Sequence, residues 1–395
     1  MNRISVEEYA AIVAAHLAVV LERPSSAVPL ASALGRVLDE PVVGPIDLPP
    51  FRNSQMDGYA VRAADTTSAP VVLAVGGVVA AGTAPPPLPF GGALKVMTGA
   101  PMPDGADAVV PVEAVHLLED GIRIGAAVAV GSYVRDRGSD LARGSLLLPA
   151  GIRLAPRHLA ALAAAGVQRV PVRDPLRVGI ISTGRELVAP GKPLEPGELP
   201  DANGTALEAA ARADGANAVF VGRVGDDPAE LALSIRAARE AGAEVVVTSG
   251  GISMGDFEPV RALLAEVGGT VGTVDMQPGG PQAYGVVEQV PLVAFPGNPV
   301  SALLSFALFL SPLLRDAAGL PPARRERMRL AVDVDLPSGR RRFLRARRTA
   351  LGEVEPVGGT GSHLIAAMAA ADLLIDVRGD SGALVAGSFV DTVEL

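Results

Sequence analysis

The chain has no cysteine, which removes disulfides, zinc–thiolate and iron–sulfur ligation and any thiol nucleophile. Histidine is nearly as scarce. His16, His116, His158 and His363 stand at no ligand spacing, so a metal is expected to be a hard cation on carboxylates and substrate oxygens, with Mg²⁺ the natural candidate. Basic charge is in deficit: 34 Lys plus Arg against 43 Asp plus Glu give a formal net charge of −9, leaving no global field for nucleic acid or an anionic membrane. Long apolar runs are missing too. The most apolar later segment, Val300–Leu310, has eleven residues, includes Ser301 and Ser305, and is shorter than the roughly 20 residues of a spanning helix. At the N-terminus Glu7 and Glu8 precede an Ala/Val-rich stretch, the wrong charge order for a secretory signal, so a cytoplasmic protein is expected. No Walker A loop occurs either: six residues separate Gly184 from Gly191-Lys192 where four are needed, and Pro193 replaces the Ser/Thr that would hold Mg²⁺.

What is present is a 395-residue, 49% hydrophobic chain with 45 Gly and 34 Pro, long enough for two to four domains. Ser5, Glu7 and Glu8 open a helix that runs to Leu21. The Pro-rich passage from Pro41 to Asp57 reads as a structured loop. From Tyr59 to Val134, short β-like runs (VVLAVGGVV, ALKVMTG, ADAVVPV, GIRIGAAVAV) between Gly/Pro turns suggest a β-rich lobe, and Ala155–Ala165 reads helical. At Arg177 the register changes: apolar strands (VGIIS, NAVFVGRV, AEVVVTSGG, PLVAF) alternate with helices (206–214, 228–241, 260–267, 300–314), which predicts a parallel, doubly wound α/β domain with ligand loops at the strand C-termini. After Gly319 the pieces are short and β-like again, consistent with a small β-barrel carrying one helix over His363–Ala371.

The loops that follow the α/β strands carry the candidate chemistry. Ser182-Thr183-Gly184-Arg185-Glu186, Thr248-Ser249-Gly250-Gly251-Ile252-Ser253 and Pro296-Gly297-Asn298-Pro299-Val300-Ser301 combine glycine with hydroxyl and amide side chains, and the last two precede helix starts whose free N–H groups favour an anion. A phosphorylated ligand is the economical inference, although any one such loop needs these residues for turning and capping alone. Carboxylates recur nearby: Asp57, Asp140, Glu186, Asp226, Asp227, Asp256 and Glu258. Asp227 before Pro228 also fits a plain helix cap. Gly251-Ile252-Ser253-Met254-Gly255 matches the G-x-S-x-G hydrolase pattern, but that elbow needs a helix directly after the serine, which Pro259 postpones. The six arginines between Arg340 and Arg348 read as a solvated strand face or a subunit contact.

In order, LPPFRNSQMDGYAVR, KVMTGAPMPDGADAVVPVE, RDRGSDL, ISTGRELV, DANG, VGDDP, TSGGIS and FPGNPVSALLSF resemble the molybdopterin molybdenumtransferase family, MoeA and the gephyrin E-domain, and GSHLIAAMAAADLLI resembles its C-terminal domain. The resemblance implies a central linking region (1–45 and 137–173), a β-rich lobe (46–136), a doubly wound α/β molybdopterin-binding domain (174–322) and a C-terminal β-barrel (323–395). It implies a homodimer in which Asp57 and Thr98 of one subunit serve the partner's cleft. The implied reaction inserts molybdenum from molybdate into adenylylated molybdopterin, releasing AMP with Mg²⁺ assisting. The implied catalytic set is Asp57, Thr98, Asp140, Glu186, Asp227 and Glu258, with Glu186 and Asp227 at the metal. Thr183, Gly184, Ser249, Gly250, Gly251, Ser253, Pro296, Gly297, Asn298, Pro299 and Ser301 would bind the pterin phosphate. A molybdopterin adenylyltransferase and molybdoenzyme maturation proteins are the implied partners. Two departures stand out. Gln277-Pro278-Gly279-Gly280-Pro281 replaces the frequent Lys-Pro-Gly-Lys-Pro, and Arg185 replaces a frequent acid, so Arg185 is expected to compensate for the lysines. A molybdopterin-binding paralogue or scaffold without insertion activity is the alternative.

Overall fold

The computed structural model describes residues 3–253, 255, 258–337, 339–379 and 382–395. It divides into two compact units, Met1–Ser25 with Arg173–Leu395, and Ser26–Val172.

In the larger unit, Ser5 starts the Val6–Leu21 helix through a reciprocal cap: its Oγ accepts from the Glu8 N–H at 3.1 Å while Glu8 Oε2 accepts from the Ser5 N–H at 2.7 Å. On sequence this helix goes with the linking region, yet its buried stripe of Val6, Tyr9, Val13 and Leu17 lies in the α/β core. The central sheet runs Asn217–Val224, Arg177–Thr183, Val245–Ser249, Val290–Phe295, Pro281–Val287, Thr270–Thr273. Its strands alternate between two cores. Val178, Ile180, Val245 and Val247 face Leu207 and Leu304, whereas Ile181 and Val246 face Leu231, Ile235 and Leu264, so helices cover both faces.

The sheet is mixed, which corrects the all-parallel expectation. The first four strands are parallel, but Pro281–Val287 pairs antiparallel with Val290–Phe295, and Thr270–Thr273 pairs antiparallel with Pro281–Val287. The hairpin turns on Glu288 and Gln289, both left-handed (φ 50° and 66°), where Asn-Gly is the usual signal. Arg236 holds the Glu288 carboxylate at 2.9 and 3.0 Å, and Arg239 donates to its carbonyl at 3.0 Å, so side chains on the neighbouring helix fix a turn that lacks glycine. The expected Val300–Leu314 helix extends over Pro299–Ala317, with π geometry over Phe306–Leu310. It is long and apolar enough to cross a membrane by composition, but Val300, Leu304, Phe306, Phe309, Leu310 and Leu314 are buried in the core.

The C-terminal strands Arg341–Arg348, Leu373–Val377, Phe389–Glu394 and Arg325–Arg329 form one antiparallel sheet, with Val354–Pro356 on the far side of Arg341–Arg348. A bridge from Leu330 to Val354 joins the outer members, and the Ala331 N–H donates to the Val354 carbonyl at 2.9 Å, so the strands close into a barrel around Leu344, Ala346, Ile375 and Val390. Met276–Gln277 adds to the same sheet in parallel with Arg341–Arg342, tying an α/β loop to the barrel.

The smaller unit carries a six-stranded sheet in the order Ala108–Pro111, Gly58–Val61, Gly92–Val96, Val71–Val79, Gly121–Ile124, Val115–Leu118. The GIRIGAAVAV strand stops at Ile124, and the Val128 N–H binds Thr66 Oγ1 at 3.0 Å instead of a ladder partner. Beside the sheet, the Pro156–Ala164 helix packs Leu162 against Leu38, Leu154, Val170 and Val172.

Candidate functional site

Three strand ends of the α/β sheet and one barrel loop enclose a cleft of about 1160 Å³. Its floor is glycine because nothing larger fits. Gly250 and Gly251 are left-handed (φ 91° and 70°), a Cβ on Gly250 would stand 2.7 Å from the Thr183 carbonyl oxygen, and one on Gly297 would stand 3.3 Å from the Gly250 Cα. Asn203 locks two loops together by donating from Nδ2 to the Gly297 carbonyl at 2.7 Å.

Of the residues expected to bind phosphate, Thr183, Gly184, Gly250, Gly251, Ser253, Pro296, Gly297, Asn298, Pro299 and Ser301 line this cleft. Ser249 lies beneath it, buried, with its hydroxyl 3.5 Å from Ser182, which in turn donates to Asp201 at 2.9 Å. Asn298 occupies the cap position of the Pro299 helix without a side-chain cap bond and is exposed. One N–H of that helix is already taken: Val300 donates to the Ser362 carbonyl at 3.3 Å.

The carboxylates separate. Glu186 and Glu258 line the cleft, as does Asp226, which pairs with Arg185 at 3.7 Å. Asp227 instead caps the Pro228–Glu240 helix, accepting from the Ala229 N–H at 2.9 Å. Glu258 folds back onto its own loop, accepting from the N–H groups of Ser253 at 2.8 Å and Gly255 at 3.2 Å. Its carboxylate therefore stands where an anionic ligand oxygen could stand, and shows that the loop presents donors suited to one. Asp256, like Met254, lies outside the described residues. The strand before Ser253 ends at Ser249 and the next helix starts at Pro259, so Ser253 is not on a hydrolase elbow. Among the described residues no three His, Asp or Glu side chains gather as a metal cage. Mg²⁺ needs only one or two carboxylates together with water and phosphate oxygens, and Glu186 with Asp226 on the cleft wall fits that demand.

Asp57, Thr98 and Asp140 belong to the smaller unit. Asp57 Oδ1 accepts from the Thr98 N–H at 2.7 Å and the Thr98 hydroxyl at 2.8 Å, and these bonds hold its carboxyl below the usual range, with the Lys95 charge adding to the effect. Asp140 is exposed on a loop pinned through its N–H to the Leu48 carbonyl at 2.9 Å.

Family models match along the whole chain: MoeA N-terminal region (domain I and II) over residues 4–166, a probable molybdopterin binding domain over 179–316, and MoeA C-terminal region (domain IV) over 327–395. The chain is 41% identical over 384 residues to molybdopterin molybdenumtransferase 2 of Mycobacterium tuberculosis, covering 93% of this chain and 94% of that one. It is 34% identical over 374 residues to molybdopterin molybdenumtransferase of Haemophilus influenzae, covering 92% of each. The crystal structure of a molybdopterin biosynthesis MoeA protein from Pyrococcus horikosii superposes with a TM-score of 0.83 at 33% identity, covering 100% of this chain and 99% of that one. The chain belongs to the MoeA family.

In this MoeA-family chain the barrel supplies a wall that sequence reasoning missed. Thr360, Gly361, Ser362 and His363 line the cleft, and a buried cation holds their loop. Arg345 donates from Nη1 to the Gly361 carbonyl at 2.9 Å and from Nη2 to the Gly359 carbonyl, and burial lowers its affinity for the proton. This corrects the reading of the arginine run as a solvated face: Arg347 and Arg348 pair with Glu355 and Glu326 at the surface, but Arg345 is buried. The available signal was alternation, since Phe343 and Arg345 share one face of the strand. Gln277 also lines the cleft. Its loop is held by buried Gln282, which donates to the Gly279 carbonyl at 2.7 Å and to Ser305 Oγ at 2.6 Å.

Proposed function

We propose that this chain inserts molybdenum from molybdate into adenylylated molybdopterin and releases AMP, acting in the cytoplasm as a molybdopterin molybdenumtransferase. The observation that carries the reading is one cleft in which three glycine-rich loops present backbone donors beside Glu186, Asp226 and Arg185. Breaking a bond between two phosphates calls for charge neutralisation and in-line positioning rather than a covalent nucleophile. The Gly250–Ser253 and Pro296–Ser301 loops bind and orient the pterin phosphate. Glu186 and Asp226 are the side chains that would hold Mg²⁺, which when bound neutralises charge on the phosphate oxygens. Arg185 supplies the cation facing the oxyanion where Gln277 and Gly280 stand in place of lysine. In this reading the protein is a homodimer, and Asp57, Thr98 and Asp140 of one copy serve the cleft of the other. A molybdopterin adenylyltransferase would supply the substrate, and molybdoenzyme maturation proteins would receive the product.

The test is AMP release from adenylylated molybdopterin with Mg²⁺, with and without stoichiometric molybdate, followed by reconstitution of an apo-molybdoenzyme. Molybdate-triggered release and active enzyme are expected. Pterin binding without release at any molybdate or tungstate concentration would instead assign the chain to a binding paralogue, the reading that Gln277 and Gly280 favour.

A further inference from the structure

Tyr133 has a backbone conformation that its side chain does not explain. Its φ is 54°, a left-handed geometry rare outside glycine and asparagine, and the backbone is locked there. Gln55 N–H donates to the Tyr133 carbonyl at 2.9 Å, Gln55 Nε2 donates to the Val134 carbonyl at 3.1 Å, and Val109 N–H donates to Ser132 at 2.9 Å. None of these bonds uses the phenol, which makes no hydrogen bond to any described residue, and the side chain is 46% exposed. Tyr9 and Tyr59 are buried and Tyr284 is partly buried, so Tyr133 is the one exposed tyrosine. Its neighbours give the position meaning. Gln55 is two residues from Asp57, and the exposed Phe51 and Met97 flank the same loops, Met97 directly before Thr98. A residue held in a left-handed conformation by its surroundings and presenting a flat ring to solvent, on the segment that pairs with residues 53–55 just ahead of Asp57, has the form of a ligand contact.

We propose that Tyr133 is the platform on which the nucleobase of the adenylylated substrate stacks, next to Asp57 and Thr98. The inference rests on the transferase reading for the identity of the base. A planar purine suits an exposed phenol, because stacking gains affinity from the ring face without a dedicated hydrogen-bond partner.

The test uses the whole chain and AMP as the probe. Tetranitromethane is expected to nitrate Tyr133 selectively, and saturating AMP to slow that nitration several-fold. Tyr133→Asn relieves the left-handed strain and removes the ring, so its Tm is expected to rise by about 2–4 °C while AMP binds about tenfold more weakly. Tyr133→Phe keeps the ring and should bind AMP within about twofold of the parent. A purely structural tyrosine cannot give higher stability together with lower affinity. Nitration unaffected by AMP, or AMP affinity unchanged in Tyr133→Asn, would overturn the proposal. Failure of the transferase reading looks different: AMP would still protect Tyr133, but molybdate would release no AMP from the adenylylated pterin.

Discussion

Replacing Arg345 by methionine separates the stability of the barrel from the shape of the cleft. The guanidinium is 5% exposed, donates to the carbonyls of Gly359 and Gly361, and pairs with no carboxylate among the described residues. Two hydrogen bonds from a cation contribute about 3–6 kcal/mol together. Burying that cation costs several kcal/mol, which methionine of similar length avoids. The two effects nearly cancel, so global stability in Arg345→Met should stay within about 2 kcal/mol of the parent. The loop has no such offset. Residues 359–363 lose their anchor, and amide hydrogen exchange there should speed up about a hundredfold, since roughly 3 kcal/mol of local protection disappears. Because Thr360 to His363 form a wall of the cleft, KM for adenylylated molybdopterin should rise at least about tenfold while Tm moves little. Differential scanning calorimetry, exchange measured on a peptide covering 357–364, and steady-state kinetics read the three quantities. A Tm collapse with the loop still protected, or an unchanged KM with the loop freed, would refute the assignment of Arg345 as a positioning residue.

Asp226→Ala should raise the Mg²⁺ concentration needed for AMP release several-fold, whereas Asp227→Ala should chiefly remove a helix cap and cost about 1 kcal/mol in urea unfolding. Equal effects on the Mg²⁺ titration would reverse that division. The Asp57 carboxyl is held below its ordinary value, so it stays charged as pH falls, and the stability it adds is present above the unfolded pKa and lost only as pH drops through the lower folded value. The acid limb of the pH–rate profile should therefore not belong to Asp57; Thr98→Val, which removes the hydroxyl donor, should move Asp57's titration upward by NMR. Arg185→Ala should raise the half-saturating molybdate concentration at least about tenfold, and Gln277→Lys in that background should recover part of it. An unchanged molybdate dependence would remove Arg185 from the oxyanion site.

The order of elements was legible because the α/β strands alternate with amphipathic helices and the caps are spelled out, Ser5 with Glu8 at one helix and Asp227-Pro228 at another. The antiparallel hairpin was not. Its turn uses Glu288 and Gln289, whose left-handed geometry is fixed by Arg236 and Arg239 from a helix about fifty residues earlier, and no local pattern announces a tertiary clamp. That the glycine loops line one cleft was legible for a physical reason: Gly250 and Gly251 are needed where backbones nearly touch, and that demand is local in sequence. Asp227 before Pro228 was legible as a cap and is one, but nothing local in the sequence marked its neighbour Asp226 as the carboxylate on the cleft wall. Arg345 was hidden inside a run of six arginines, five of which gave no reason to single it out.

In the proposed reading a chain of net charge −9 takes a polyanionic substrate, and it must do so without an attractive field at long range. The cleft offers a short-range means. It presents backbone N–H groups at loops that glycine brings close, and two of them hold the Glu258 carboxylate. The buried Arg345 behind the wall loop is spent on the carbonyls of Gly359 and Gly361, so it fixes the shape of the wall rather than facing a ligand. Fixed dipoles and a buried guanidinium are screened far less by salt than exposed lysines would be. In that reading the exposed Arg185 is the cation left facing the oxyanion where Gln277 and Gly280 stand in place of lysine, and the fixed backbone donors add preorganised geometry to its charge, which favours discrimination by oxyanion shape.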